Sequence, residues 1–190
     1  MRNRVTFFMA LLAVLAVAST ASAQIPQSDC QIGVYADTEG TIGVFEPTQG
    51  VPFTVHVVIR VEGLLNAVAY ELLVPGLDEE LFLINETFGR LGRGLNFFNE
   101  GGYNVGIGEC AVGFGGLPIL VSSHTFLIPG EEPNARTISI GPNFTGDPEA
   151  PIFSVCTGEL YRCTISDNLL LARPVDETVE SFGAIKSLYN

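Results

Sequence analysis

The stretch Pro52-Phe53-Thr54-Val55-His56-Val57-Val58-Ile59-Arg60-Val61 decides the fold class. Phe53, Val55, Val57, Ile59 and Val61 recur at every second position, with Thr54, His56, Val58 and Arg60 between them. Side chains of an extended chain alternate between two faces, so a period of two over this length marks a β-strand with one face on a core. Just downstream, Val68, Tyr70, Leu72 and Val74 alternate with Ala67, Ala69, Glu71 and Leu73, and Pro75-Gly76 ends the run. Glu62-Gly63 between the two runs suits a hairpin connection.

Working outward, further short apolar or alternating runs occupy residues 32–35, 81–84, 103–108, 119–128, 136–140, 152–156 and 169–172. Gly, Pro, Asn and Asp separate them. Short strands punctuated by turn residues predict an all-β fold, an antiparallel β-sandwich of about eight or nine strands with Greek-key or jelly-roll connections. Its inward faces are expected to include Val55, Val57, Ile59, Val68, Tyr70, Leu72, Val105, Ile107, Ile138 and Ile140. Strands do not alternate with helical segments, which argues against a doubly wound parallel sheet. Helical signal is confined to one turn within residues 78–83 and to the C-terminal tail. There Val179, Phe182, Ile185 and Leu188 fall at three-residue steps and suit a short helix or turn.

The N-terminus carries a different pattern. Arg2 and Arg4 precede an unbroken apolar run over residues 5–18, and Ala21-Ser22-Ala23 follows before Gln24. A basic start, an apolar centre too short for a comfortable bilayer span and a small-residue exit make a cleavable export signal. The expected organisation is a signal peptide over residues 1–23, a β-sandwich domain over 24–178 and a tail over 179–190. No membrane span is expected after cleavage, because Gly, Pro or charge interrupts every later apolar run. The chain is secreted or displayed at the cell surface on this reading.

The formal net charge of the 190-residue chain is −12. An acidic surface repels phosphate backbones, so nucleic acid is not an expected partner. Cys30, Cys110, Cys156 and Cys163 all follow the leader, and an even number of cysteines in an exported chain predicts disulfides. Spacing favours Cys156 with Cys163 across a hairpin, leaving Cys30 for Cys110; four cysteines allow three pairings. A zinc site would want C-x-x-C spacing or clustered histidines, and neither occurs.

Candidate chemistry is sparse. Ser122 and His124 share a strand face, but no orienting acid is identifiable in the sequence, and there is no G-x-S-x-G turn. The acids Asp78-Glu79-Glu80, Glu131-Glu132, and Asp147 with Glu149 sit beside Pro or Gly and read as solvated loop acids. Asn85-Glu86-Thr87 and Asn143-Phe144-Thr145 match the N-glycosylation triplet. No catalytic residue, metal ligand or cofactor is assigned. The glycine-dense region over residues 89–116 contains Phe97, Phe98 and Tyr103. These aromatics make a possible ligand surface, against the plainer reading that they pack at the end of a sandwich.

Three segments carry a resemblance. Ile32-Gly33-Val34-Tyr35-Ala36-Asp37, the strand entry Gly50-Val51-Pro52-Phe53, and the closing Val179-Glu180-Ser181-Phe182-Gly183-Ala184-Ile185-Lys186-Ser187-Leu188-Tyr189 resemble segments of secreted bacterial β-sandwich proteins that end in a (W/F)G-x-I-K-x-L-Y tail. The hydrophobic pattern of the middle, residues 52–61 followed by 67–74 and a Leu-rich loop, is similar to a cohesin-type sandwich. The resemblance implies export and a sandwich, and no substrate. The expectation is therefore an exported, non-catalytic binding or structural module whose partner is a protein or a glycan. The rival readings are a carbohydrate-binding module or carbohydrate-active enzyme, and a self-assembling surface subunit.

Overall fold

A computed structural model describes residues 25–89, 94–96, 102–113, 116–130, 135–143 and 147–172. The expected leader, the expected tail, Phe97 and Phe98 lie outside these residues. The fold is all-β. Its strands are β1 (Gln27–Tyr35), β2 (Val44–Phe45), β3 (Phe53–Arg60), β4 (Gly63–Leu73), β5 (Phe82–Phe88), β6 (Leu95–Asn96), β7 (Tyr103–Gly113), β8 (Pro118–Leu127), β9 (Arg136–Gly141), β10 (Ile152–Val155), β11 (Leu160–Ile165) and β12 (Leu169–Leu171).

The hydrogen-bonded order is β2-β12-β9-β4-β10-β11-β1-β3-β8-β5, with β7 on the other edge of β4 and β6 beyond β7. The path folds over on itself. Tyr70 of β4 meets Ser122 of β8 across the core, so the two halves of the path form facing layers. Most pairs are antiparallel, but β1 runs parallel to β11, and β2 parallel to β12. β9 and β10 both pair with β4 in the same antiparallel sense, Ile140 opposite Leu72 and Phe153 opposite Val68. They act as one strand interrupted by residues 142–151.

The alternation over residues 53–61 is realised on β3. Phe53, Val55, Val57, Ile59 and Val61 are buried, and Thr54, His56 and Arg60 are half-buried on the outer face. All ten expected inward residues belong to the core or, for Leu72, pack against it. Burial at ~25 cal/mol per Å² of apolar surface makes this alternation the main determinant of which face turns inward.

Two local expectations fail. The segment 78–83 forms no helical turn: the Gly76 carbonyl gathers the amides of Glu79, Glu80 and Leu81 in a compact loop, with Asp78 at φ 64°. The β3–β4 connection is no hairpin either. β3 pairs with β1 and β8, whereas β4 pairs with β7, β9 and β10. A hairpin would place both apolar faces in one layer. Crossing between layers at Glu62 lets Val57 and Ile59 face Val68 and Tyr70 across a shared interior.

All four cysteines are bridged, but not as spacing suggested. Cys30 joins Cys163, and Cys110 joins Cys156, with Cα separations of 4.7 and 6.0 Å. The expected β10–β11 hairpin exists, with Ser154 opposite Leu160 and Ile152 opposite Arg162. That register puts Cys156 at the turn and Cys163 at the far end of the ladder. Strands rise ~3.4 Å per residue, so the two lie well beyond bridging distance. Parallel pairing of β1 with β11 brings Cys30 beside Cys163 instead. Cys110 reaches Cys156 because β7 bulges. Ala67 pairs with Gly106 but Leu65 pairs with Ala111, so residues 107–110 leave the ladder.

Candidate functional site

A polar array built from four strands runs out of the core, buried at Tyr70, Ser122 and His124 and half-buried at Glu86 and Tyr103. Tyr70 on β4, Ser122 and His124 on β8, Glu86 on β5 and Tyr103 on β7 converge between the layers. Ser122 Oγ lies 2.8 Å from His124 Nε2, and His124 Nδ1 lies 2.9 Å from Glu86 Oε1. Tyr70 Oη is 2.6 Å from Ser122 Oγ, and Tyr103 Oη is 2.5 Å from Glu86 Oε1.

The carboxylate fixes the two protons that touch it. An ionised carboxylate only accepts, so His124 Nδ1–H and the Tyr103 hydroxyl donate to Glu86. An imidazole with its one proton on Nδ1 accepts at Nε2 from the Ser122 hydroxyl. Ser122 in turn accepts from Tyr70. One chain of donation runs from Tyr70 through Ser122 and His124 to Glu86, which leaves no buried hydroxyl in it unpaired. The His124 hydrogen bond, reinforced by Tyr103, holds the Glu86 carboxyl below its ordinary value against the opposing effect of burial. Burial raises both phenols far above theirs.

Serine, histidine and carboxylate in this connectivity match the hydrogen-bond order of a hydrolase triad. Access does not match. Ser122 and His124 are wholly buried. The Tyr103 ring stacks on Tyr70 with centroids 5.3 Å apart and meets His124 edge-on at 5.0 Å. Among the described residues no path leads a substrate carbonyl to Ser122, whose hydroxyl is already engaged by Tyr70 and His124. The arrangement braces β4, β5, β7 and β8 against one another.

Glu86 is the acid that the sequence reading could not identify. It stood inside a glycosylation triplet, and the alternation around it is broken. β5 pairs Leu83 with Phe126 and Asn85 with Thr125, so Ile84 is squeezed outward, 51% exposed, and Glu86 turns inward. This β-bulge hides the periodicity that would have exposed an inward acid. Tyr103, expected at a ligand surface, lies half-buried with its ring engaged by Tyr70 and His124. Asn143 is buried and donates to the Tyr103 carbonyl.

The described loop acids include two exceptions to simple solvation: Glu80 pairs with the Arg136 guanidinium, and Asp147 and Glu149 hold Arg162. Asp147 is buried and accepts from Arg162 Nε at 2.6 Å, and Glu149 pairs with Arg162 Nη1 at 2.7 Å. These acids pin the break between β9 and β10 to β11. On the outer face, Thr54 meets Thr125 at 3.0 Å and His56 Nδ1 meets Ser123 Oγ at 2.8 Å. Burial lowers the His56 value. Among the described residues, no group of three or more His, Cys, Asp or Glu side chains is placed to hold a metal ion, and no helix is long and apolar enough to cross a membrane.

A cavity of about 310 Å³ opens where β1 begins and β3 ends. Cys30, Val61, Phe153, Val155 and Tyr161 make its apolar wall, and Asp29, Glu62 and Glu159 stand at its rim. Phe153 and Tyr161 stack at 5.5 Å as paired neighbours on β10 and β11.

No family model matches the chain, and neither does any curated protein. Solved structures do. A non-cellulosomal cohesin from the hyperthermophilic archaeon Archaeoglobus fulgidus superposes with a TM-score of 0.52 at 15% identity, over 86% of this chain and 100% of that one. The cohesin module of a family 33 glycoside hydrolase from Clostridium perfringens gives 0.52 at 8% identity, over 77% and 99%. CaCohA2 of Clostridium acetobutylicum gives 0.50 at 11% identity, over 76% and 99%. At these identities the likeness speaks to the backbone alone, a β-sandwich similar to that of these cohesins.

Proposed function

We propose that this chain is an exported, non-catalytic module that works by binding another protein through its surface. The observation that carries this reading is the closure of the Ser122–His124–Glu86 array. Among the described residues, the one constellation with the connectivity for acyl transfer is spent in the core, where Tyr70 occupies the serine and Tyr103 covers the histidine. What remains to act is surface. Two disulfides support a working life in an oxidising compartment, as does the leader expected over residues 1–23. The sandwich lends further support, since its neighbour CaCohA2 was solved in complex with a second protein, CaDoc0917.

The test is photo-crosslinking of the exported chain in its native extracellular fluid. A crosslinking amino acid replaces Thr157 at the β10–β11 turn, Val44 on β2 or Phe82 on β5, three exposed positions on different parts of the surface. The reading expects one discrete protein adduct at one position, suppressed by excess unlabelled chain. Absence of an adduct at all three, or equal unsaturable labelling at each, contradicts it.

A further inference from the structure

We infer that the cavity at the β1–β3 end of the sandwich is a receptor for a single basic side chain, lysine or arginine, presented by the protein partner. This deepens the binding-module reading and rests on it. At about 310 Å³ the cavity lies at the low end of the range for ligand pockets, the size for one long side chain rather than a drug-sized molecule. Its chemistry is layered. Phe153 is buried at the base, and Tyr161, stacked on it, faces the opening. Val61, Val155 and the Cys30 end of the Cys30–Cys163 bridge complete an apolar wall.

Above that wall all the charge is of one sign. Asp29, Glu62 and Glu159 are exposed at the rim, and no lysine, arginine or histidine belongs to the lining. Glu159 also accepts from the hydroxyls of Thr157 and Tyr161, both at 3.3 Å, which orients its carboxylate beside the aromatic pair. An apolar shaft under a negative rim complements a side chain with an aliphatic stem and a cationic head. The stem packs on Phe153, Val61 and Val155, and the head meets the carboxylates and the Tyr161 ring face. A neutral apolar side chain would fill the shaft but leave the three carboxylates without a counter-charge. An acidic one would be repelled. The overall charge of −12 acts in the same direction, steering basic segments toward the molecule.

The test titrates the exported chain with the peptide acetyl-Gly-Gly-Lys-Gly-Gly-amide and with its norleucine isostere, following the ring resonances of Phe153 and Tyr161 by NMR. The lysine peptide is expected to shift both rings in a saturable way, and the norleucine peptide to bind at least tenfold more weakly. Glu62→Gln and Glu159→Gln, both at exposed positions, should each weaken the lysine peptide about threefold with unchanged melting, and 0.5 M salt should weaken it further. Equal binding of both peptides, ring shifts that do not saturate, or indifference to the double glutamine variant would overturn the assignment. The crosslinking experiment separates the two levels. An adduct at Val44 or Phe82 but none at Thr157 removes the cavity and leaves the module. No adduct anywhere removes the module and with it the partner that would present the side chain, whereas failed titration beside a Thr157 adduct removes the cavity alone.

Discussion

Removing the Tyr70 hydroxyl isolates the polar array from the packing around it. In Tyr70→Phe the ring stays on Tyr103, while Ser122 loses the donor that stood 2.6 Å away. Ser122 is wholly buried, so its vacant lone pair stays dry, at a cost of about 1–2 kcal/mol. Ser122→Ala takes the near partner from both the Tyr70 hydroxyl and His124 Nε2, leaving them only their own 3.5 Å contact, and should cost about 2–3 kcal/mol. The double variant should cost about 1 kcal/mol less than the sum, because the Tyr70–Ser122 bond is lost in both single variants. Urea titration of the oxidised protein reads these values directly. Thermal midpoints should fall by about 2–4 °C per kcal/mol at this size. A neutral Tyr70→Phe together with strict additivity would refute the chain of donation.

Three further outcomes follow from the same structure. Mass spectrometry of an unreduced digest should recover Cys30 with Cys163 and Cys110 with Cys156; replacing either pair by serine should cost up to about 5 and 4 kcal/mol respectively, from loops of 133 and 46 residues. Stability should be flat between about pH 7 and 10 and fall on both sides. On the acid side, His56 lies below 6.5 through burial and Glu86 below 4.5 through its His124 bond, so the unfolded chain takes up both protons first and stability drops as pH falls. On the alkaline side, burial raises Tyr70 and Tyr103 above 10.0, so the unfolded chain loses those protons first; a stability maximum below pH 5 would contradict this. Gly102→Ala should cost about 2–4 kcal/mol, since a Cβ there sits 2.5 Å from the Tyr70 carbonyl at φ 124°, whereas Gly50→Ala, with φ 69° and open space, should cost only about 1 kcal/mol by circular-dichroism melting.

Local sequence information reached as far as local structure extends. The alternation on β3, the inward residues of β4, β7 and β9, and the all-β class follow from period two, which each strand displays by itself. Partner choice depends on which layer a strand joins, and nothing within residues 53–73 records that the chain changes layers at Glu62. The cysteine pairing failed for the same reason: the neighbour of Cys30 is set by the parallel docking of β1 on β11, a contact between chain ends. The two-residue strands β2 and β6 are too short to show any period. Ser122 and His124 were legible as sharing a face, but Glu86 was concealed by a one-residue bulge. The cavity was not legible at all, because its walls come from β1, the end of β3, β10 and β11.

The claim that this molecule offers surface rather than chemistry meets its sharpest test in a serine-directed fluorophosphonate probe applied to the native, oxidised chain. Because Ser122 is enclosed and already bonded to Tyr70 and His124, it should remain unlabelled while the fold is intact. Stoichiometric labelling of Ser122 that disappears in His124→Ala would show an open, activated serine and contradict the account.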